Sequence, residues 1–306
     1  MKQLTVTFHS ILDPTGYLFS LPKSFAAVLA ASSYKSYAED IIAASGFAFR
    51  MWADPKELCP SATSIWEFGK QKEWFENSGL VCDYIERLWG EDVAEEERRL
   101  QAIQMIQKSI DDGTAAVAWD ISGCEWGVIT GYDDAAGCFF TLKIDNTQGE
   151  LPYEKLGLLE IPILSVLTVS GTREKSADQI LADTKKLALS HLKGEEWCEN
   201  AAGLAVYDTL ISFVTEKLSS DTAWNLEYYL GTYGALKWYA WKFFEKYQEK
   251  ELASLYQSVY EAWKAAFDIK CTQDVTKQEV KEQIVQRLLT AKGAERKAVA
   301  MLADEK

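Results

Sequence analysis

The chain has 306 residues, of which 48% are hydrophobic and 25% charged, with a formal net charge of −14. That length suits about two domains of roughly 150 residues each, long enough to bury a core without covalent staples. The acidic balance argues against nucleic acid or an anionic membrane as the main partner, because both need a positive surface.

The opening, Met1 to His9, has no apolar h-region and predicts no signal peptide. No apolar run approaches the roughly 18 residues of a membrane span, so the expected location is the cytoplasm. The cysteines at 59, 82, 124, 138, 198 and 271 are nowhere spaced as C-x-x-C. They suggest free thiols rather than zinc clips or a redox pair. With His9 and His191 the only histidines, a histidine-rich metal site is not expected. No phosphate-binding or dinucleotide glycine motif is present, and no cofactor is expected.

The first half mixes helix and strand signals. Ser24 to Ser33 is alanine-rich and predicts a buried helix, with Pro22 near its start. Tyr37 to Ala44 predicts a second helix, stopped at Ser45-Gly46. Phe47 to Trp52 alternates as a short strand, and Asp54 to Ala62 is a loop. Aromatic-rich helices are expected around Trp66–Phe75 and Leu80–Trp89. Val93 to Asp111 is the clearest helix, with an acidic first turn and Gly113 beyond its end. Strands follow at 115–119, 126–132, 139–144 and 161–169, with Asp133 to Gly137 as a hairpin loop. From Thr172 onward the periodicity is helical throughout: 178–192, 201–218, 222–249, 252–269 and 277–302. The expected fold class is α+β, with an N-terminal half of helices plus antiparallel sheet (1–171) and an all-helical domain (172–306).

The stretch Trp119-Asp120-Ile121-Ser122-Gly123-Cys124-Glu125-Trp126-Gly127-Val128-Ile129-Thr130-Gly131-Tyr132-Asp133-Asp134 resembles the histidine strand of the papain-like cysteine-peptidase superfamily. It is most similar to the bacteriocin-processing peptidases and to the N-terminal domain of the butirosin-biosynthesis acyltransferase family. In those proteins a short strand leads into His-Trp/Phe, an apolar run and Gly-Tyr-Asp-Asp. The resemblance covers about residues 1 to 170 and implies a papain-like fold. It implies a nucleophile position at Ser20, with Ser24 as the rival, at the start of the alanine-rich helix. Glu125 then stands where the family has histidine, and Asp145 where it has the orienting Asp or Asn. A serine and a glutamate replace thiol and imidazole. A carboxylate with a free pKa of about 4.3 is a poor base for an alcohol, so ordinary papain-type turnover is expected to be absent.

Two expectations follow for the site. Glu125 is a surface carboxylate at the mouth of a strand, a pocket carboxylate for a small amine, amide or peptide ligand, or an acid/base raised by burial against Trp126. As an acid/base it would serve an amide hydrolase or acyltransferase. The cluster Trp52, Trp66, Trp74, Trp89 and Trp126 forms core or lines an apolar pocket, with Trp52 and Trp126 the candidate ligand contacts. Cys124 reads as buried and inert, facing away from Glu125 on a strand. Asp133-Asp134 reads as a turn rather than a cation site. The segment Tyr228 to Phe244 is apolar on more than one face. It is either the central helix of a bundle or a homodimer interface, the latter making the chain a protein-interaction module.

Overall fold

The structure, a computed structural model, describes residues 1–64, 67–196 and 200–304. In chain order the elements are β1 (Lys2–Gln3), α1 (Ser20–Ala30), α2 (Ile41–Ala44), β2 (Trp52–Ala53), α3 (Lys70–Glu76), β3 (Leu80–Arg87), α4 (Glu95–Asp111), β4 (Ala116–Ala118), β5 (Gly127–Asp133), β6 (Cys138–Leu142), β7 (Gln148–Pro152), β8 (Leu164–Thr172), α5 (Ala177–Lys193), β9 (Ala201–Ala202), α6 (Ala205–Glu216), α7 (Ala223–Lys246), α8 (Lys250–Thr272) and α9 (Gln278–Asp304). The fold class is α+β, with an antiparallel sheet and a helical C-terminal region.

Contacts divide the chain into two units. The first comprises 1–12, 20–42 and 68–175, the second 13–19, 43–67 and 176–306. The break near 172 therefore falls at Lys175/Ser176. Two early segments, 13–19 and 43–67, belong with the helices.

In the first unit the sheet order is β3-β8-β4-β5-β6-β7, every pairing antiparallel, with β1 beside β5. Adjacent residues of a strand point to opposite faces, and the two faces differ in character. On one, Ala116, Ala118, Ile129, Phe139, Leu164 and Val166 bury the Ala102–Ile106–Ile110 stripe of α4. On the other lie Ser165 and Trp119, met by α3 through the Gln71–Ser165 hydrogen bond of 2.9 Å. Helix α1 lies on that side too, its Phe25 ring 4.1 Å from Phe75 of α3.

Leu80–Arg87 is a strand, not the expected helix. It pairs along its length with β8, from Leu80↔Thr172 to Arg87↔Leu164. Its Val, Tyr and Ile content suits a half-buried pleated surface once a partner strand exists. Helix α1 starts at Ser20, one turn earlier than expected. Pro22 therefore sits in the first turn, where a missing N–H breaks no helical bond. The expected 37–44 helix shrinks to a 3₁₀ turn at Lys35–Tyr37 and the four residues of α2.

Gly131 of β5 has a steric reason to be glycine. A Cβ there would run into the Lys2 carbonyl oxygen and lie 2.8 Å from Gln3 Cα and 2.9 Å from Phe140 Cδ2. Strand β1 can cross this point only over a bare backbone. Gly131→Ala is expected to cost about 1–3 kcal/mol by overpacking. It should also speed amide exchange at Leu4, whose N–H donates to the Thr130 carbonyl at 2.8 Å; unchanged exchange there would contradict the steric argument.

In the second unit β2 pairs β9, Trp52↔Ala202 and Ala53↔Ala201. The strand expected at 47–52 is thus confined to its last residue and Ala53. Residues 201–202, expected to open a helix, are drawn into this pairing, and α6 begins at Ala205. The Tyr233 hydroxyl bonds both main-chain groups of Trp52, accepting from its N–H at 2.7 Å. Helix α7 is buried over most of its length, and Tyr229, Leu230, Tyr233, Phe243 and Phe244 are all interior. Its apolarity on several faces is accounted for by this burial, while Trp238 and Trp241 remain half-buried.

One side chain from each of four helices meets in the interior of this unit. Lys237 of α7 pairs with Glu295 of α9 at 2.7 Å. The Tyr207 hydroxyl of α6 donates to Glu295 at 2.8 Å, and the Trp263 indole N–H of α8 donates to Tyr207 at 2.7 Å. Beside α5, the Arg50 guanidinium lies 4.2 Å over the Trp52 ring and bonds Glu196 at 3.1 Å. Glu196 also contacts the imidazole of His191. Burial pushes His191 below its ordinary pKa against the opposing pull of Glu196.

Candidate functional site

Helix α1 begins at Ser20, and β5 begins two residues after Glu125. The two meet: the Ser20 hydroxyl donates to the Glu125 carboxylate and accepts the Trp126 N–H at 3.2 Å. The positions implied for nucleophile and base are therefore hydrogen-bonded, with Ser20 rather than Ser24 at the contact. Ser20 is 2% exposed and Glu125 half-buried.

A turn anchored on Asp120 presents Glu125. Asp120, 5% exposed, has a left-handed φ of 63°, a region that Asp enters at lower cost than most residues. Its carboxylate accepts from Cys124 N at 2.6 Å and from Ile161 N at 2.9 Å. Ser122 N closes the turn on the Glu125 carbonyl at 3.1 Å. Cys124 and Glu125 thus lie in this turn, ahead of the strand on which they were expected to alternate. Cys124 is half-buried rather than buried. Desolvation, with the Asp120 and Glu160 carboxylates, pushes its thiol above the ordinary pKa. That keeps it protonated and a weak nucleophile.

Aromatic rings flank the pair. Trp126 is fully buried, and its ring lies 5.4 Å from Trp119 and 5.9 Å from Phe68. Trp52 belongs to the second unit, buried beneath Arg50, so the two tryptophans named as ligand contacts occupy different units. Of the other cluster members, Trp74 is buried in α3 and Trp89 is exposed; Trp66 lies outside the described residues, as does Cys198.

Asp145 is not brought to the pair. It is exposed, three residues past the end of β6, and accepts from Thr147 N at 2.8 Å. That amide holds its carboxyl below the usual range. Its neighbour Asn146 turns instead to Phe8 N at 2.9 Å. Asp133 and Asp134 are turn residues: Asp133 accepts from Ala135 N at 2.9 Å, and Asp134 from Gln107 and Tyr153.

A second polar group on the same face went unforeseen. Gln71 Nε2 donates to Ser165 Oγ, Ser165 and the Tyr84 hydroxyl are 2.8 Å apart, and Tyr84 donates to Glu86 at 2.9 Å. The alternation of β-formers in Leu80–Arg87 was the signal that could have placed Tyr84 and Glu86 together on a sheet face.

Chemically, the Ser20–Glu125 pair offers a negative charge, a hydroxyl committed to it, and aromatic walls. It lacks a base matched to the serine proton. Among the described residues no group of three or more His, Cys, Asp or Glu side chains is placed to hold a metal ion, and no helix is long and apolar enough to cross a membrane. No protein-family model matches the chain, and no curated protein matches it.

Proposed function

We propose that this chain is a papain-like protein whose thiol and imidazole positions are held by Ser20 and Glu125. In this reading it binds a small amine, amide or peptide ligand at Glu125 and has lost papain-type turnover. The observation that carries the proposal is the hydrogen bond from Ser20, first residue of α1, to the carboxylate ahead of β5. A half-buried carboxylate attracts a cation by charge.

The same contact favours a second reading, an amide hydrolase or acyltransferase with Glu125 as acid/base and Ser20 as nucleophile or oxyanion donor. Weighing against it, the Ser20 hydroxyl is buried and already accepts the Trp126 N–H.

Calorimetry with primary amines and short peptides separates the two. Binding is expected to weaken at least tenfold in Glu125→Gln, where one neutral amide replaces the charge-assisted contact. No hydrolysis or acyl transfer is expected. Turnover that survives alkylation of every cysteine and disappears in both Ser20→Ala and Glu125→Gln would establish the second reading in place of the first.

A further inference from the structure

The sheet register sets out a row of side chains leading away from Glu125. Ala118 pairs with Gly127, so the next residues, Trp119 and Trp126, stand opposite each other on one face. Trp119 N donates to the Ser165 carbonyl at 3.0 Å, and Ser165 pairs with Glu86. Trp126, just ahead of β5, and Trp119, just past β4, therefore lie in line with Ser165 on β8 and Glu86 on β3. Helix α3 covers the row, with Gln71 over Ser165. The row reaches solvent at β3, the outermost strand, where Tyr84 and Glu86 are half-buried.

Along this row buried hydrogen-bonding groups stand without partners. Trp119, 7% exposed, has an indole N–H that donates to nothing, and Gln71, fully buried, has a side-chain carbonyl that accepts from nothing. Ser24, one helical turn from Ser20 on the same face of α1, has a buried hydroxyl in the same state. Such groups are rare in folded proteins and expensive to leave unmade. On the opposite face of this sheet α4 packs against an apolar cluster. Their gathering beside the Ser20–Glu125 pair is a pattern that a polar occupant would resolve.

We propose that the occupant is a dipeptide-sized amide bearing a free amine. This rests on the amine-binding reading above and deepens it. The ammonium group sits against Glu125. An amide carbonyl accepts the Trp119 indole N–H, and an amide N–H donates to the Gln71 carbonyl. Strands in a sheet are about 4.8 Å apart. Trp119 stands one strand from Trp126 and Gln71 lies over the next, so the amide falls roughly 5–10 Å from Trp126, the residue that follows Glu125. An aminoacyl amide of two residues spans that interval at about 3.5 Å per residue.

The test compares butylamine, which carries the charge alone, with glycylglycinamide, which carries charge and amides, by calorimetry on the full chain. Glycylglycinamide is expected to bind about tenfold or more tightly, as one to two neutral hydrogen bonds allow. Trp119→Phe keeps a ring and removes the N–H, and it should lower the ratio of the two affinities by about threefold or more. Gln71→Met, a change on a different element, should do the same. If butylamine binds in a Glu125-dependent way and glycylglycinamide binds no tighter, the amide subsite is overturned and the amine site stands. A preference undiminished in both variants overturns it equally. Binding of neither probe overturns both readings.

Discussion

Glu295→Leu is expected to lower the unfolding free energy by about 3–5 kcal/mol, the cost of leaving a buried ammonium without its counter-charge. Lys237 and Glu295 are both completely buried, and among the described residues the other hydrogen-bond acceptor of Lys237 is the Ala48 carbonyl at 3.4 Å. Burial already pulls the Lys237 pKa below its ordinary value despite the attraction of Glu295. Removing the carboxylate also takes the acceptor from the Tyr207 hydroxyl, which Trp263 in turn supports. The double variant Lys237→Met/Glu295→Leu removes both charges and keeps the volume. It should recover most of the loss, because a well-packed apolar pair often matches a buried ion pair. Urea titration of the three proteins decides it. A single variant that loses less than about 1 kcal/mol would mean that Lys237 finds water or another partner once Glu295 is gone.

Exchanging the Ser20–Glu125 pair for a thiol and an imidazole should produce a reactive cysteine. In Ser20→Cys alone, the Glu125 carboxylate stays within hydrogen-bond reach of the new thiol and opposes its ionisation. Its pKa should rise above about 8.5, and iodoacetamide at pH 6 should label it slowly. In Ser20→Cys/Glu125→His the imidazolium favours the thiolate, which in such pairs ionises between about 3.5 and 7.5. The thiolate fraction at pH 6 then rises on the order of a hundredfold. Intrinsic nucleophilicity falls as the pKa falls, so the net gain in rate is on the order of tenfold. Mass spectrometry of the α1 peptide distinguishes this labelling from that of the exposed Cys59 and Cys271. Equal rates in the two variants would show that the two positions do not have dyad geometry, and the papain-like reading would lose its main support.

The meeting of Ser20 with Glu125 was legible because both positions came from one pattern, a helix start and the residue ahead of Trp126-Gly127. Asp145 was not. The strand that would carry it ends at Leu142, and the turn through Asn146, at φ 67°, leaves Asp145 in solvent. The helices α5 to α9 fell within a few residues of their apolar periodicity, which runs for three turns or more in each. β2 and β9 are two residues long, too short for any period, and their pairing depends on a partner about 150 residues away. Local pattern therefore had no access to the fact that 43–67 packs with the helices. Strand β3 carries Val81, Tyr84 and Ile85, which favour a strand, but its hydrogen bonds come from β8, whose residues lie far along the chain. The meeting of Gln71 with Ser165 depends on that same long-range pairing.

The interleaved second unit has a consequence for the order in which the chain is made. Phe47, Phe49 and Trp52 leave the ribosome early, while Phe244 and Tyr256, which close on Phe49 at 5.6 and 5.4 Å, come some two hundred residues later. At about 5–20 residues per second, those aromatic side chains wait roughly 10–40 s for the surface that covers them. During synthesis the segment is thus a hydrophobic stretch left uncovered, and residues 176–306 produced alone would emerge with their interior unfilled.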